Sequence, residues 1–313
     1  MTAWECRYTT PAGWGPANPG SPFAVLCLPL MTRIDQFESA FKAAARTVYA
    51  YERVEMPRVL VVTDLDADGA GRYRDRVASF LAVLASGGQG VEWRAAERER
   101  SATVGDLLAM VEAESPDLVV TYRNLHTQAW RWPHSLGDRL EVLTQATPVP
   151  VLVLPRPETD WRADDTDQVL ALTDHISGDA RLVNYAVRLT RRDGELCLAH
   201  VEDEGVFERY LEVIGKIPEI DTDTAREKIR EQLLKEAADY IVSVKEVLRA
   251  EERPISLSKV VEMGHRLDYM KRLIDERSCD LLVLNTKDED QLAMHGLAYP
   301  LAVELTGTPI LML

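Results

Sequence analysis

The sequence predicts an α/β protein made of two doubly wound parallel-sheet domains in tandem, and three observations carry that prediction. Short apolar runs rich in β-branched residues, such as RVLVV at Arg58 and QVLAL at Gln168, have the composition of strands buried on both faces. Each is followed by a segment whose apolar residues recur every three to four positions, RYRDRVASFLAVLA in one case and ARLVNYAVRLT in the other. The whole pattern then occurs twice in the same order. RVLVVTDLDADG is echoed by QVLALTDHISGD, SPDLVVTY by SCDLLVLN, and TPVPVLVLP by TGTPILML at the end of the chain.

In chain order, residues 1–57 open with a Pro/Gly-rich arm, MTAWECRYTTPAGWGPANPG. A strand-like run, FAVLCLPL, follows it. A helix comes next, with a Thr32/Asp35 capping pattern and a stripe of Ile34, Phe37, Phe41, Ala45 and Val48. The first repeat covers 58–155: a strand, a helix, the turn SGGQG after a helix and before a strand, the strand in SPDLVVTY, and the closing GDRLEVLTQATPVPVLVLP. Residues 156–167 form a polar, Pro-containing linker. The second repeat, 168–313, adds the strand ELCLAHV and a long helix striped by Ile229, Leu233, Ala237, Ile241, Val244 and Leu248 up to Pro254. PISLSKVV, RLDYMKRLIDE and DLLVLN then read as strand, helix and strand, and a last helix leads into TPILML.

Asp64 to Asp117 spans 53 residues, against 106 from Asp174 to Asp280. The first repeat is therefore expected to lack its second strand and second helix. The N-terminal strand and helix would fill that gap as a permuted piece of the first domain, or sit outside the sheet as an appendage.

Composition limits the function. Apolar content of 46% and charged content of 28% are those of a globular chain, and no apolar run reaches the ~18–20 residues that span a bilayer. The start lacks a basic region followed by an apolar stretch, so no secretory signal is expected. Cys6, Cys27, Cys197 and Cys279 have no paired spacing, which fits reduced thiols in a cytoplasmic protein. A net charge of -15 argues against nucleic acid or an anionic membrane as partner.

The strand-end Asp64 and Asp174, LAHV in the second strand of the second repeat, the approaches ESPDLVV and RSCDLLV, and the closers from Gly137 and Gly296 together resemble a tandem universal stress protein. The resemblance covers residues 58–313 and implies two adenine nucleotide α-hydrolase-like domains. It implies an ATP crevice formed by the first-strand Asp, a second-strand valine and a loop G-x-x-G-x9-G-[S/T] after the fourth strand. Asp64, Asp174 and Val201 match. In the first loop Asn124 and Thr127 stand where two glycines belong, Gly137 keeps the third place, and Asp138 replaces the hydroxyl. In the second loop Asn285 follows the strand, Asp288 to Asp290 are acidic, and Gly296 is followed by Leu297. Glycines let backbone N–H groups approach phosphate oxygens, so neither loop is expected to cradle a triphosphate.

Two other readings compete for VLVVTDLDADG. A phosphatase of the haloacid-dehalogenase type would need its second Asp followed by Thr or a small residue, then a Lys and an acidic pair for magnesium. Asp66 is present, but Asp174 in the copy is followed by HIS, and no matching acidic pair falls at a later strand end. A calcium loop would need a preceding helix, an apolar eighth position and a terminal Glu, where the sequence has a strand, Gly71 and Asp75. The six histidines show no ligand spacing. The expectation is a non-enzymatic, stress-related binding or regulatory module with no catalytic residue, metal or resident cofactor. Its halves would pair through their terminal strands within the chain, remaining apolar surface would bring two chains together as a homodimer, and it would act on a protein partner. The alternative is an ATP-binding protein with an altered loop and slow ATPase activity.

Overall fold

The computed structural model describes residues 49–86, 90–128, 131, 134–159, 164–173, 179–286 and 298–313. Residues 48–313 cluster as one unit, and residues 1–47, which cluster separately, lie outside the described residues together with the strand and helix expected there. Among the described residues nine strands are present: β1 (Arg58–Val62), β2 (Glu92–Ala96), β3 (Leu118–Tyr122), β4 (Val151–Leu154), β5 (Gln168–Thr173), β6 (Glu195–Asp203), β7 (Ser256–Gly264), β8 (Leu281–Leu284) and β9 (Ile310–Met312). They form one sheet in the order β2-β1-β3-β4-β9-β8-β5-β6-β7. Eight α-helices among the described residues connect them: α1 (Ala67–Phe80), α2 (Val104–Glu114), α3 (Asp138–Ala146), α4 (Ala180–Leu189), α5 (Glu204–Ile214), α6 (Thr222–Ala250), α7 (Arg266–Glu276) and α8 (Ala298–Glu304). Val59 to Val62 and all of β3, β4 and β8 are buried, so helices and loops cover both faces of the central strands.

Every pairing is parallel except one. β4 and β9 run antiparallel, with Val151 opposite Met312, Leu152 opposite Leu311 and Val153 opposite Ile310. The terminal strands of the two halves thus meet where their apolarity on both alternations predicts, and they join the halves into one sheet. The repeated motifs also make repeated contacts. Asp117 accepts the Arg58 N–H at 3.0 Å and Asp280 accepts the Gln168 N–H at 2.9 Å, so one carboxylate ties the start of β1 to that of β3 and another ties β5 to β8. Ser115 and Ser278 just before them are both left-handed, at φ 44° and 49°.

The shorter first half departs from expectation. β2 pairs with β1 along its whole length, in the place beside the first strand that β6 holds beside β5. The strand after SGGQG therefore fills the slot expected to be empty. Among the described residues, the first half shows no counterpart to outer strand β7 or to long helix α6. Residues 49–57 also belong to the body of the sheet. Tyr49 donates to Asn184 on α4 at 2.7 Å, and Met56 is buried.

Candidate functional site

Strand order reverses between β1 and β3, and again between β5 and β8, because each half of the chain passes to one side of its first strand and then returns to the other. Crevices of a doubly wound sheet open at such points, beyond the carboxyl ends of the strands. The three aspartates after β1 take different positions there. Asp66 N-caps α1 by accepting the Gly69 N–H at 2.7 Å, and Asp68 lies in the first turn, where a carboxylate suits the helix dipole. Asp64 turns into the crevice and is only 7% exposed.

The chain itself satisfies Asp64. The Tyr122 hydroxyl donates to Oδ1 and accepts the Asp64 N–H at 2.9 Å, the His126 N–H donates to Oδ2 at 2.9 Å, and the Arg156 guanidinium lies 3.8 Å away. Tyr122 is held by an edge contact from Tyr73 and by Arg156 over its ring. Burial, reinforced by the Asp64 bond, pushes its phenol pKa up, so the hydroxyl remains a donor.

Backbone geometry brings His126 over Asp64. Asn124 and His126 adopt φ 55° and 62°, a left-handed conformation that folds residues 123–128 back across the strand ends. The fold-back is fastened at several points. The Asn124 N–H donates to Leu136 O at 2.8 Å, its side chain donates to Ser135 O, and Thr127 donates to Asn124 O. Arg156 donates to Asn124 O at 3.1 Å, and Arg139 to Ser101 O at 3.2 Å. Ser101, fully buried, meets His126 Nε2 at 2.9 Å. Burial and the Arg139 charge lower the His126 pKa.

Gly137 keeps its expected place and begins α3, but its freedom serves the chain itself. At φ 88° it lets the backbone of Asn124 approach so closely that a Cβ would stand 2.9 Å from Asn124 Cα. At the helix N-terminus, where an anion would sit, the Asp138 carboxylate accepts the Arg139 N–H at 2.9 Å. Asn124 is thus in contact with Thr127 and Gly137, Asp64 is held by the N–H of His126 in the same loop, and Asp138 pairs with Arg139 at the start of α3.

In the second half, Val201 is buried in β6 and Asn285 donates to Asp179, the N-cap of α4, at 2.6 Å. Asp174 and Gly296 lie outside the described residues. His200 is buried, with Nε2 2.8 Å from Glu202 and Nδ1 without a hydrogen-bond partner. The sequence did not mark Tyr122, Ser101, Arg139 or Arg156 as part of the site. The Tyr ending the strand SPDLVVTY was the one available signal. Among the described residues no group of His, Cys, Asp or Glu could hold a metal, and no helix is long and apolar enough to cross a membrane.

Fold and site define a doubly wound, mostly parallel α/β protein whose strand order reverses twice. No family model and no curated protein matches the chain. Among solved structures it is similar to a functionally unknown protein from Pseudomonas aeruginosa, with 14% identity over 82% of this chain and 92% of that one and a TM-score of 0.46. It is also similar to a universal stress protein from Archaeoglobus fulgidus, with 14% identity over 83% of this chain and 85% of that one and a TM-score of 0.41. Likeness at this level carries no argument, and the class rests on the chain's own strand order.

Proposed function

We infer that this chain is a non-enzymatic, stress-related binding and regulatory module of the tandem universal stress protein type, acting in the cytoplasm without a resident nucleotide. The observation that carries this reading is the engagement of Asp64 by Tyr122, His126 and Arg156, which leaves its carboxylate no free face for a ribose or a base. Asp138 at the start of α3 supports it, since a second anion there would meet like charge. Calorimetry with ATP tests the reading: no saturable heat is expected at micromolar concentrations. Micromolar binding abolished by Asp174→Ala or Asp64→Ala would overturn it. The module also forms a homodimer in this reading, supported by the exposed apolar stripe Val206, Tyr210 and Val213 on α5. Light scattering should give twice the chain mass, and Tyr210→Lys should halve it.

A further inference from the structure

A second cleft, of about 660 Å³, lies beside the crevice just described, and none of the residues that close over Asp64 lines it. Its walls are the turn after β1, one face of α1, the 3-10 helix Arg98–Ser101 after β2, and the segment after β4. Arg72 and Arg76 are one turn apart on α1 and so share a face, and Arg98 reaches in from the other wall. Leu65, Tyr73 and Pro157 supply apolar surface between them.

The charges of this cleft are unevenly committed. Of its carboxylates, Asp66 caps α1 through the Gly69 N–H and Glu158 accepts from Arg156 at 2.6 Å. Glu99 makes no side-chain hydrogen bond or ion pair, and neither does Arg72 or Arg98. Other arginines of this half are paired: Arg58 with Asp117, Arg100 with Glu114, Arg139 with Asp138. Two guanidiniums left unpaired on facing walls, Arg72 and Arg98, present several N–H donors in planar forks. That geometry suits the oxygens of a compact dianion. The volume falls in the range of small-molecule sites, larger than a bare phosphate fills, and the apolar wall suits the body of an organic ligand. Asp66, Glu99 and Glu158 count against a ligand whose negative charge is spread along a chain, such as a triphosphate.

We propose that this cleft binds a small organic phosphate monoester, its phosphate held between Arg72 and Arg98 and its uncharged body against Leu65, Tyr73 and Pro157. The site goes beyond the functional reading above, because it shares no residue with the nucleotide-like crevice. It is also coupled to that crevice, since the 3-10 helix that begins with Arg98 ends with Ser101, the residue bonded to His126.

Titration calorimetry on the full chain, with phenyl phosphate, inorganic phosphate and ATP as probes, tests the proposal. Phenyl phosphate should bind saturably, and inorganic phosphate about tenfold more weakly for want of the apolar body. Arg72→Gln and Arg98→Gln should each weaken phenyl phosphate by about tenfold or more, as expected when a charge-assisted hydrogen bond is lost. Both side chains are exposed, so unchanged melting curves would show that the variants are folded. No saturable binding of phenyl phosphate up to about 10 mM, a concentration that detects affinities worth ~3 kcal/mol, would overturn the proposal. Equal binding by wild type and both variants would overturn it too. Tight ATP binding that depends on Asp174 would count against the functional reading instead, so the two failures are distinguishable.

Discussion

At the scale of single residues, Asp64 decides what the first crevice can do. A carboxylate at the end of a buried strand was legible in the sequence, because VLVVTD places an acid immediately after an apolar run. Its His126 partner was not legible, because a backbone N–H brought round by two left-handed residues leaves no trace in residue type. Tyr122→Phe removes the hydroxyl that serves Asp64 twice and leaves a buried carboxylate short of a donor. It should cost about 1–3 kcal/mol in urea unfolding. A loss below ~0.5 kcal/mol, the range of neutral surface changes, would mean that the bond contributes little. His126 adds a pH dependence. Its pKa is lowered in the folded loop by burial and by Arg139, so the open loop takes up a proton that the closed loop resists. Closure is therefore at full strength above the ordinary histidine value of about 6.5 and weakens as pH falls through the lowered one. After correction for intrinsic rates, exchange of the His126 amide should be faster at pH ~5.5 than at ~7.5, and His126→Gln should remove the difference.

At the scale of elements, the turn into α3 rests on one glycine. Gly137 admits the backbone of Asn124, which packs against it. Gly137→Ala would force a Cβ against that backbone at a φ that alanine rarely adopts. The expected cost is about 1–3 kcal/mol of strain, read as a lower melting temperature and faster exchange across residues 123–128. An unchanged melt would show that loop and helix can separate freely. Two other elements were less legible. Helix α5 shows apolar residues on two adjacent faces, with Phe207 and Leu211 buried but Val206, Tyr210 and Val213 exposed, so no single stripe announces it. The place of β2 beside β1 depends on which slot of the sheet is empty. Repeat spacing shows that something is missing without showing which strand moves inward.

At the scale of the whole molecule, the two halves are one sheet, and the strands that join them were the most legible feature of all. VPVLVLP and TPILML are apolar on both alternations, so neither face expects water, and a free edge that apolar would invite pairing with another chain. β9 answers both needs by lying between β4, antiparallel to it, and β8, parallel to it. A second tie lies nearby. The buried Arg123 guanidinium, at the end of β3, donates to Ala302 O and Leu305 O at the carboxyl end of α8, both at 2.6 Å. It has no carboxylate for company, and burial lowers its pKa to about 10, so what it receives in place of a counter-ion is the negative end of a helix. A strand shared in this way should make the halves unfold together, in a single transition. Ile310 and Met312, 0% and 2% exposed, lie opposite Val153 and Val151, and lysine at either place would put an ammonium where no water or acid can meet it. Ile310→Lys and Met312→Lys should each cost more than about 4 kcal/mol and, combined, separate the halves into two transitions or precipitate the chain. Ser256→Lys, at an exposed position of β7, is the control and should leave the transition where it is. If the double variant keeps a single transition at the wild-type midpoint, the terminal strands are not what holds the halves together.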